Sequence, residues 1–421
     1  MVLATANTAF ASGFEKGINW GAKEASYGGI GVVDKGANAL WFNPAGLLND
    51  KAGHQVSFNL SPTWASSSGP IDSNNDSVST SSLQVVPSLI YDFTVNDTWA
   101  FAIGYYAAAG VKGDYYGNSM IGTNNTSNVY GDVSDIELSL GAAYKVNSQW
   151  QVGLGYRISY VKAAYSGVSF TSPTNTANWL NLSVQNLSET DYTGYKLGVQ
   201  YKPAENTKIG LEYRSEVKLN MQGNYGGTVN QGSVSLPIDG SNATLRSTMP
   251  MQVVLGAEQD YEKWRALAQY DWTQYSRVGE LNVDGSVTAN GGTVAVQGGG
   301  LHIQEHWNDQ HVIRLGGEYM GWSWPLRFGY SWTNQVTDSS YASPAAFPPA
   351  MLHTLAVGTG QTFAIMDHPL EFNAAVEYDM SSGSANGAQA GQPFDSNVNQ
   401  TRAGTVALNI WAMHLNAMYS F

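Results

Sequence analysis

Gly53-His54-Gln55-Val56-Ser57-Phe58-Asn59-Leu60-Ser61-Pro62-Thr63-Trp64-Ala65-Ser66 carries Val56, Phe58, Leu60 and Trp64 at even positions and Gln55, Ser57, Asn59, Ser61 and Thr63 at odd ones. Successive side chains of a β-strand point to opposite faces, so this segment has one apolar and one polar face. A soluble sandwich and a membrane barrel both contain such strands. Strand number and the lengths of the connections decide between them.

Outward from this stretch the same period recurs in hairpins. Residues 83–93 and 99–105 join across Val95-Asn96-Asp97, and similar short turns join 136–144 to 150–160, 195–201 to 209–213, 251–257 to 264–272, 313–319 to 324–332, and 355–365 to 370–380. A last strand ends the chain in Met418-Tyr419-Ser420-Phe421, which brings the number to fourteen. Between the hairpins lie long polar stretches, at 67–82, 111–132, 164–190, 220–243, 276–307, 333–350 and 381–403. Strict alternation of short and long connections is how outer-membrane barrels sort periplasmic turns from external loops, and a sandwich has no reason to do so. The expected fold is all-β, a 14-stranded antiparallel transmembrane β-barrel over residues 53–421.

Arg157, Lys196, Glu212, Arg214, Arg265, Asp271, Arg314, Glu318, Arg327, Glu371 and Glu377 fall between the lipid-facing positions. An Arg or Lys on the lipid face at mid-depth costs about 2–4 kcal/mol, so the register with these charges inward is favoured and predicts a mixed-charge lumen. Tyrosine (24) and tryptophan (13) are abundant enough for interfacial girdles. No window approaches a helical membrane span, and only closure pairs every backbone group of a strand-built span. A formal charge of −13 argues against a nucleic-acid partner. Zero cysteines remove disulfides, thiol catalysis and thiolate metal sites; no cofactor is expected.

Residues 1–11, ending in Ala9-Phe10-Ala11, read as the residual tail of an export signal. Residues 12–52 lack alternation, are rich in glycine and alanine, and form a separate unit ahead of the barrel. In the third strand Gly104 is followed by Tyr105-Tyr106 and then Ala107-Ala108-Ala109-Gly110, a loss of large side chains that predicts a bulge or kink. A register slip near Ile410-Trp411 predicts a second bulge.

The stretch from Gly21 to Leu47, with Gly28-Gly29-Ile30-Gly31, Asp34 and Asn43-Pro44-Ala45-Gly46 within it, resembles the amino-terminal hatch of the outer-membrane family that transports long-chain fatty acids and aromatic hydrocarbons. Asn43-Pro44-Ala45-Gly46 is its most specific motif, and His306-Trp307-Asn308-Asp309, Leu315-Gly316-Gly317-Glu318-Tyr319 and the terminal Phe421 extend the likeness along nearly the whole chain. The resemblance implies a barrel plugged by residues 12–52, passive uptake of a hydrophobic molecule through a groove in the outer loops and a lumenal pocket, and sideways exit at the kinked third strand. It implies that Phe14 touches ligand, that Lys162 lies near a basic ligand contact, and that residues 107–110 with Gly104 form the lateral gate. The implied partners are the hydrophobic substrate, outer-membrane lipid and lipopolysaccharide, and the barrel-assembly machinery through Phe421, for a monomer in the bacterial outer membrane.

Arg157, Arg314 and Arg327 are candidate grips for a ligand carboxylate, because guanidinium offers a bidentate match. The alternative is that they pair with Glu212, Asp271, Glu318 or Glu371. Near Gln304 the fatty-acid members carry a basic residue and this chain does not, which keeps monoaromatic hydrocarbons open as substrate. Glu305, His306, Asp309 and His311 read as solvated loop residues rather than a metal site. An enzyme is not expected, since seven histidines give no recognisable lipase set. A general porin would have no hatch.

Overall fold

The computed structural model describes residues 21–49, 51–70, 77–119, 126–170, 178–231, 234–239, 242–278, 280–289, 292–304, 307–340, 348–386 and 403–421. The strands are β1 (Gly53–Pro70), β2 (Ser77–Thr94), β3 (Trp99–Ser119), β4 (Thr126–Lys145), β5 (Trp150–Phe170), β6 (Asn178–Ala204), β7 (Thr207–Arg214), β8 (Val217–Gln231), β9 (Val234–Asp239) and β10 (Asn242–Met249). They continue as β11 (Gln252–Asp260), β12 (Trp264–Thr273), β13 (Glu280–Ala289), β14 (Gly292–Gln304), β15 (Gln310–Tyr319), β16 (Leu326–Thr333), β17 (Leu352–Ile365), β18 (His368–Asn386) and β19 (Ala403–Ser420).

Fourteen of them make one closed antiparallel ring: β1 to β7 in order, then β11, β12, β15, β16, β17, β18 and β19, which returns to β1. Closure is tight at the chain end, where Phe421 N donates to His54 O at 2.9 Å and His54 N donates to Phe421 O at 2.8 Å. The opening stretch shows the faces directly: Phe58 is 46% exposed on the lipid side, while Ser57 and Asn59 on either side of it are 0% and 2% exposed in the lumen. Trp99, Trp150, Trp264 and Trp324 stand exposed beside the short turns, as a periplasmic girdle requires.

Two expectations change. The long polar stretches are largely strand: β5 and β6 run out to Phe170 and Asn178, and β8, β9, β10, β13 and β14 build a secondary sheet on the outer end of β6. Above the bilayer a strand needs no apolar face, so the period-two signal fades while the ladder continues. Near Ile410-Trp411 there is no bulge; β19 pairs with β18 without a break from Leu370–Tyr419 to Asn386–Ala403. Ile410 and Leu408 simply face an apolar part of the lumen, so both faces of β19 carry large side chains there.

That apolar part corrects the expectation of a lumen that is mixed-charge, rather than apolar, throughout. Val161, Leu187, Met221, Leu245, Tyr275 and Trp307 belong to one buried cluster. It lies farther out than Arg157, because β5 rises from its turn at residues 146–149. Charges occupy the level below.

Residues 21–49 lie inside the ring at that lower level. They form helix α1 (Ala22–Ser26), helix α2 (Ala39–Phe42) and a 3-10 turn (Pro44–Leu47). Helix α1 stops where Gly28 and Gly29 take φ of 71° and 86°, which frees their N–H groups to bond Ala25 O and Glu24 O at 2.8 and 2.9 Å. Asn43 explains its motif. Its Oδ1 accepts from Ala45 N at 3.1 Å, and its Nδ2 donates to Val32 O at 2.8 Å and to the wall carbonyl of Val199 at 3.1 Å. Pro44 fits as the first residue of the 3-10 turn, and Gly46 O receives Gly36 N at 2.9 Å.

The wall makes room with glycine. Gly153, Gly198, Gly210, Gly256, Gly316 and Gly329, on six different strands, each present a bare backbone to residues 27–45, and a Cβ at any of them would crowd or overlap that segment. Wall side chains satisfy the polar backbone brought into contact. Gln269 Oε1 accepts from Gly31 N and Val32 N at 3.1 and 3.2 Å, and Gln200 Nε2 donates to Asp34 O at 2.8 Å. Within the segment Lys23 Nζ bonds Asp34 at 2.7 Å. Burial disfavours that ammonium, but Asp34, Glu371, Tyr27 and Glu24 together outweigh it and hold Lys23 protonated above the usual lysine range.

Candidate functional site

The longest gap in the ring among the described residues lies at the seam between β2 and β3, against a two-residue interruption of the β1–β19 ladder at Ser61 and Pro62. The β2–β3 ladder runs from Thr94–Ala100 only as far as Ser88–Tyr106. Farther out β2 pairs with β1 as far as Ser77, and β3 pairs with β4 as far as Ser119, but β2 and β3 share no register pair. Pro87 sits at the end of the ladder; it has no N–H to donate and belongs at an edge. Opposite it, the β3–β4 register shifts between Ala107 and Ala109, so Ala108 is the extra residue of a bulge. The small-residue run therefore does what its composition predicts, and Ala107, Ala108 and Ala109 are all buried.

Behind the lower end of the seam lies the leading segment. Leu40, Leu47 and Leu48 pack with Val86, Ile90, Ala102, Tyr106 and Ala107 in one buried apolar cluster. Trp41 meets the Tyr106 ring edge-on at 5.0 Å. Gly104 leaves space for the Leu40 side chain.

Tyr106 also connects this contact to a buried charge cluster. Its hydroxyl donates to Glu137 Oε1 at 2.8 Å and accepts from Lys196 Nζ at 3.1 Å. Three cations surround that one carboxylate: Arg157 Nε at 2.7 Å, Arg214 Nη2 at 2.9 Å and Lys196 Nζ at 3.3 Å. Lys196 Nζ further donates to the carbonyls of Leu40 and Trp41, both at 3.3 Å, and the Arg214 guanidinium lies 4.9 Å from the Trp41 ring centre. Arg157 Nη1 donates to Ser215 O at 3.1 Å, whereas its Nη2 is buried without a hydrogen-bond partner among the described residues. Removing Glu137 as Glu137→Ala strands three buried cations. Such a loss costs about 3–5 kcal/mol, so the variant barrel unfolds at clearly lower urea concentration in lipid vesicles while still assembling. An unchanged midpoint would mean that water, not Glu137, compensates the cations.

The other sequence-predicted residues fall in distinct places. Arg314 Nε bonds Asp271 at 2.7 Å and its Nη1 donates to Gly28 O at 2.6 Å, so it holds the leading segment to β15. Arg327 bonds Glu318 at 2.8 Å and Asn373 at 2.6 Å beneath the Tyr27 ring. Two of the partners expected from sequence, Asp271 and Glu318, are thus in use, while Arg157 pairs with Glu137 rather than Glu212. Lys162 is exposed on the outer face, 5.1 Å from the Tyr160 ring centre, at a pocket of about 320 Å3 that also contacts Asp132 and Ser134. Phe14 and residues 1–11 lie outside the described residues, as do Glu305 and His306; the described residues hold no metal-ligating group of three. Sequence reading missed Glu137, Tyr106 and Pro87. Only Pro87 carries a local signal, a proline inside a strand pattern.

The family model described as "Outer membrane protein transport protein (OMPP1/FadL/TodX)" matches residues 2–421. The chain belongs to this family. Its barrel is accordingly a bacterial outer-membrane barrel, as expected. Among curated relatives, the long-chain fatty acid transport protein of Escherichia coli K12 is 24% identical over 321 residues, 66% of this chain and 67% of the relative. The corresponding protein of Escherichia coli O6:H1 is 24% identical over 279 residues, and the match spans only 59% of either chain. Of solved structures, a Pseudomonas aeruginosa FadL homologue superposes with a TM-score of 0.74 at 16% identity, covering 99% of both chains. The Pseudomonas putida toluene transporter TodX does so with a TM-score of 0.70 at 17% identity, covering 96% of this chain and 98% of its own. These likenesses establish the same fold for this FadL/TodX member.

Proposed function

We propose that this chain carries long-chain fatty acids passively across the outer membrane: residues 12–52 act as a hatch, and the β2–β3 seam is the exit. The observation that carries the reading is the ladder ending at Ser88–Tyr106, with the hatch residues Leu40 and Trp41 packed directly behind it. An acyl chain enters the apolar outer compartment, the hatch shifts its grip on Tyr106, and the chain passes between β2 and β3 into lipid. Each buried methylene contributes about 0.8 kcal/mol, so ejection into water would forfeit most of the binding energy, whereas sideways release keeps the chain in apolar surroundings. Phe14 is assigned to the ligand contact, and the 53–421 barrel to the surrounding wall, with outer-membrane lipid and lipopolysaccharide as its environment and the assembly machinery as the reader of Phe421.

Arg157 supports a carboxylate-bearing substrate. Its free Nη2 and the excess of cations over Glu137 leave a donor for a fatty-acid headgroup; Arg314 and Arg327 instead anchor hatch and wall. The expected result for Arg157→Met is palmitate binding weaker by roughly tenfold to a hundredfold, the scale of one charge-assisted hydrogen bond, with toluene binding unchanged. Equal losses for both ligands would remove the headgroup role and favour monoaromatic hydrocarbons, the class to which the toluene carried by the TodX neighbour belongs.

An esterase reading has one specific observation, since Ser61 Oγ lies 2.8 Å from His414 Nδ1. The third member, Glu377, is 3.9 Å from His414 Nε2, beyond hydrogen-bond length, and Ser61 is only 1% exposed. Hydrolysis of p-nitrophenyl esters by purified protein, abolished in Ser61→Ala, is the result that would revive it.

A further inference from the structure

At the periplasmic end a pocket of about 510 Å3 opens between the hatch and the turns that join β2 to β3, β4 to β5 and β6 to β7. Lys35 of the hatch and Lys145, Lys202 and Lys208 of the wall line it, with Asp97 as the one acidic residue among the described residues that line it. The whole chain has 33 acidic and 20 basic residues, so four lysines around one pocket run against the overall charge. Lys208 is bridged to Glu258 at 2.9 Å, while Lys145 and Lys202 form no ion pair among the described residues. Tyr201 also lines the pocket, and it stacks at 4.2 Å on Trp150, a residue of the outward-facing aromatic girdle. Girdle aromatics mark the depth of lipid headgroups. The pocket therefore reaches from the underside of the hatch to the level where phosphates lie.

We propose that this pocket binds a phosphate group, which bridges Lys35 of the hatch to Lys145 and Lys202 of the wall and latches the hatch from below. Lysine suits the task because each ammonium offers three rotatable donors to a phosphate and needs no fixed fork geometry. Two sources share this chemistry, the headgroup of a periplasmic-leaflet phospholipid and free inorganic phosphate. The proposal rests on residues 12–52 acting as a hatch, but nothing in the seam or the headgroup contact at Arg157 is needed for it, so it can fail without them.

The test is native mass spectrometry of the full chain released from phosphatidylcholine nanodiscs doped with phosphatidylglycerol, repeated for Lys145→Ala/Lys202→Ala and for Lys145→Arg/Lys202→Arg. The expected result is selective retention of phosphatidylglycerol by the wild type, weakened by about fivefold for each lysine removed and restored by arginine. Displacement of the retained lipid by millimolar inorganic phosphate identifies the phosphate as sufficient, and resistance to it identifies the lipid as the occupant. In phosphate buffer without phosphatidylglycerol, wild type alone should show slower proteolysis of the hatch if free phosphate is the ligand. Equal retention of both lipids, or a double-alanine variant that behaves as wild type toward lipid and phosphate alike, overturns the proposal. Heat-modifiable electrophoretic migration checks that each variant is a closed barrel.

Discussion

Uptake of radiolabelled palmitate by cells expressing Ala107→Phe/Ala109→Phe is expected to fall to the level of cells without the protein. Both alanines are buried beside the Ala108 bulge, where β3 has left β2. Overpacking of this kind costs about 1–3 kcal/mol, a small fraction of what a closed ring of strands gains, so the barrel still assembles. The added rings occupy the longest interval of the wall, among the described residues, where two strands that both continue share no ladder; the β1–β19 ladder is interrupted only at Ser61 and Pro62. Elsewhere a passing acyl chain would have to break backbone hydrogen bonds in lipid, each worth several kcal/mol there. Normal uptake by a correctly assembled variant would discard the sideways route.

Gly153→Leu and Gly329→Leu are expected to turn a nearly silent protein into a conducting one in planar bilayers. Gly153 lies against Pro44 and Ala45 and Gly329 against Tyr27 and Gly28, on opposite sides of the hatch. In each case the atoms met are backbone, which cannot rotate away as a flexible side chain can. The hatch then loses its seat, and with it the hydrogen bonds that hold it to the wall: Gly31 N to Gln269 Oε1, Gln200 Nε2 to Asp34 O, and Asn43 Nδ2 to Val199 O. Leucine faces the lumen at both positions, so the lipid-facing surface and the strand ladders are unaffected. Ion current at wild-type level in both variants would mean that the hatch either tolerates displacement or does not close the bore.

Most of the wall was legible because the bilayer imposes its own period. Val56, Phe58, Leu60 and Trp64 must face lipid, and the same demand repeats in every strand at membrane depth. The signal disappeared where that demand stops: β8, β9, β10, β13 and β14 stand outside the bilayer, and their serines, asparagines and glycines read as loop. The inward charges were legible as a set, since none can face lipid, but their partners were not. Glu137 is separated by 20 residues from Arg157 and by 77 from Arg214, and only ring closure brings them together. The bulge at Ala108 had a compositional signal in four consecutive small residues. The seam itself needed the pairing of β2 as well as β3, and Pro87 was its one visible mark. The wall glycines such as Gly153 and Gly329 carried no signal of their own, and only residues 27–45 lying against them give them a role.

Photolabelling bears most directly on the sideways route. The protein, reconstituted in outer-membrane lipid vesicles, is loaded with a palmitate analogue carrying a diazirine near its methyl end, irradiated during turnover, and mapped by peptide mass spectrometry. Labels on Pro87 and on residues 106–110 are the result expected if cargo leaves between β2 and β3. Labels on Leu48 and Asn49 at the underside of the hatch, with none at the seam, would mean that cargo drops straight through the bore and that the wall plays no part in its release.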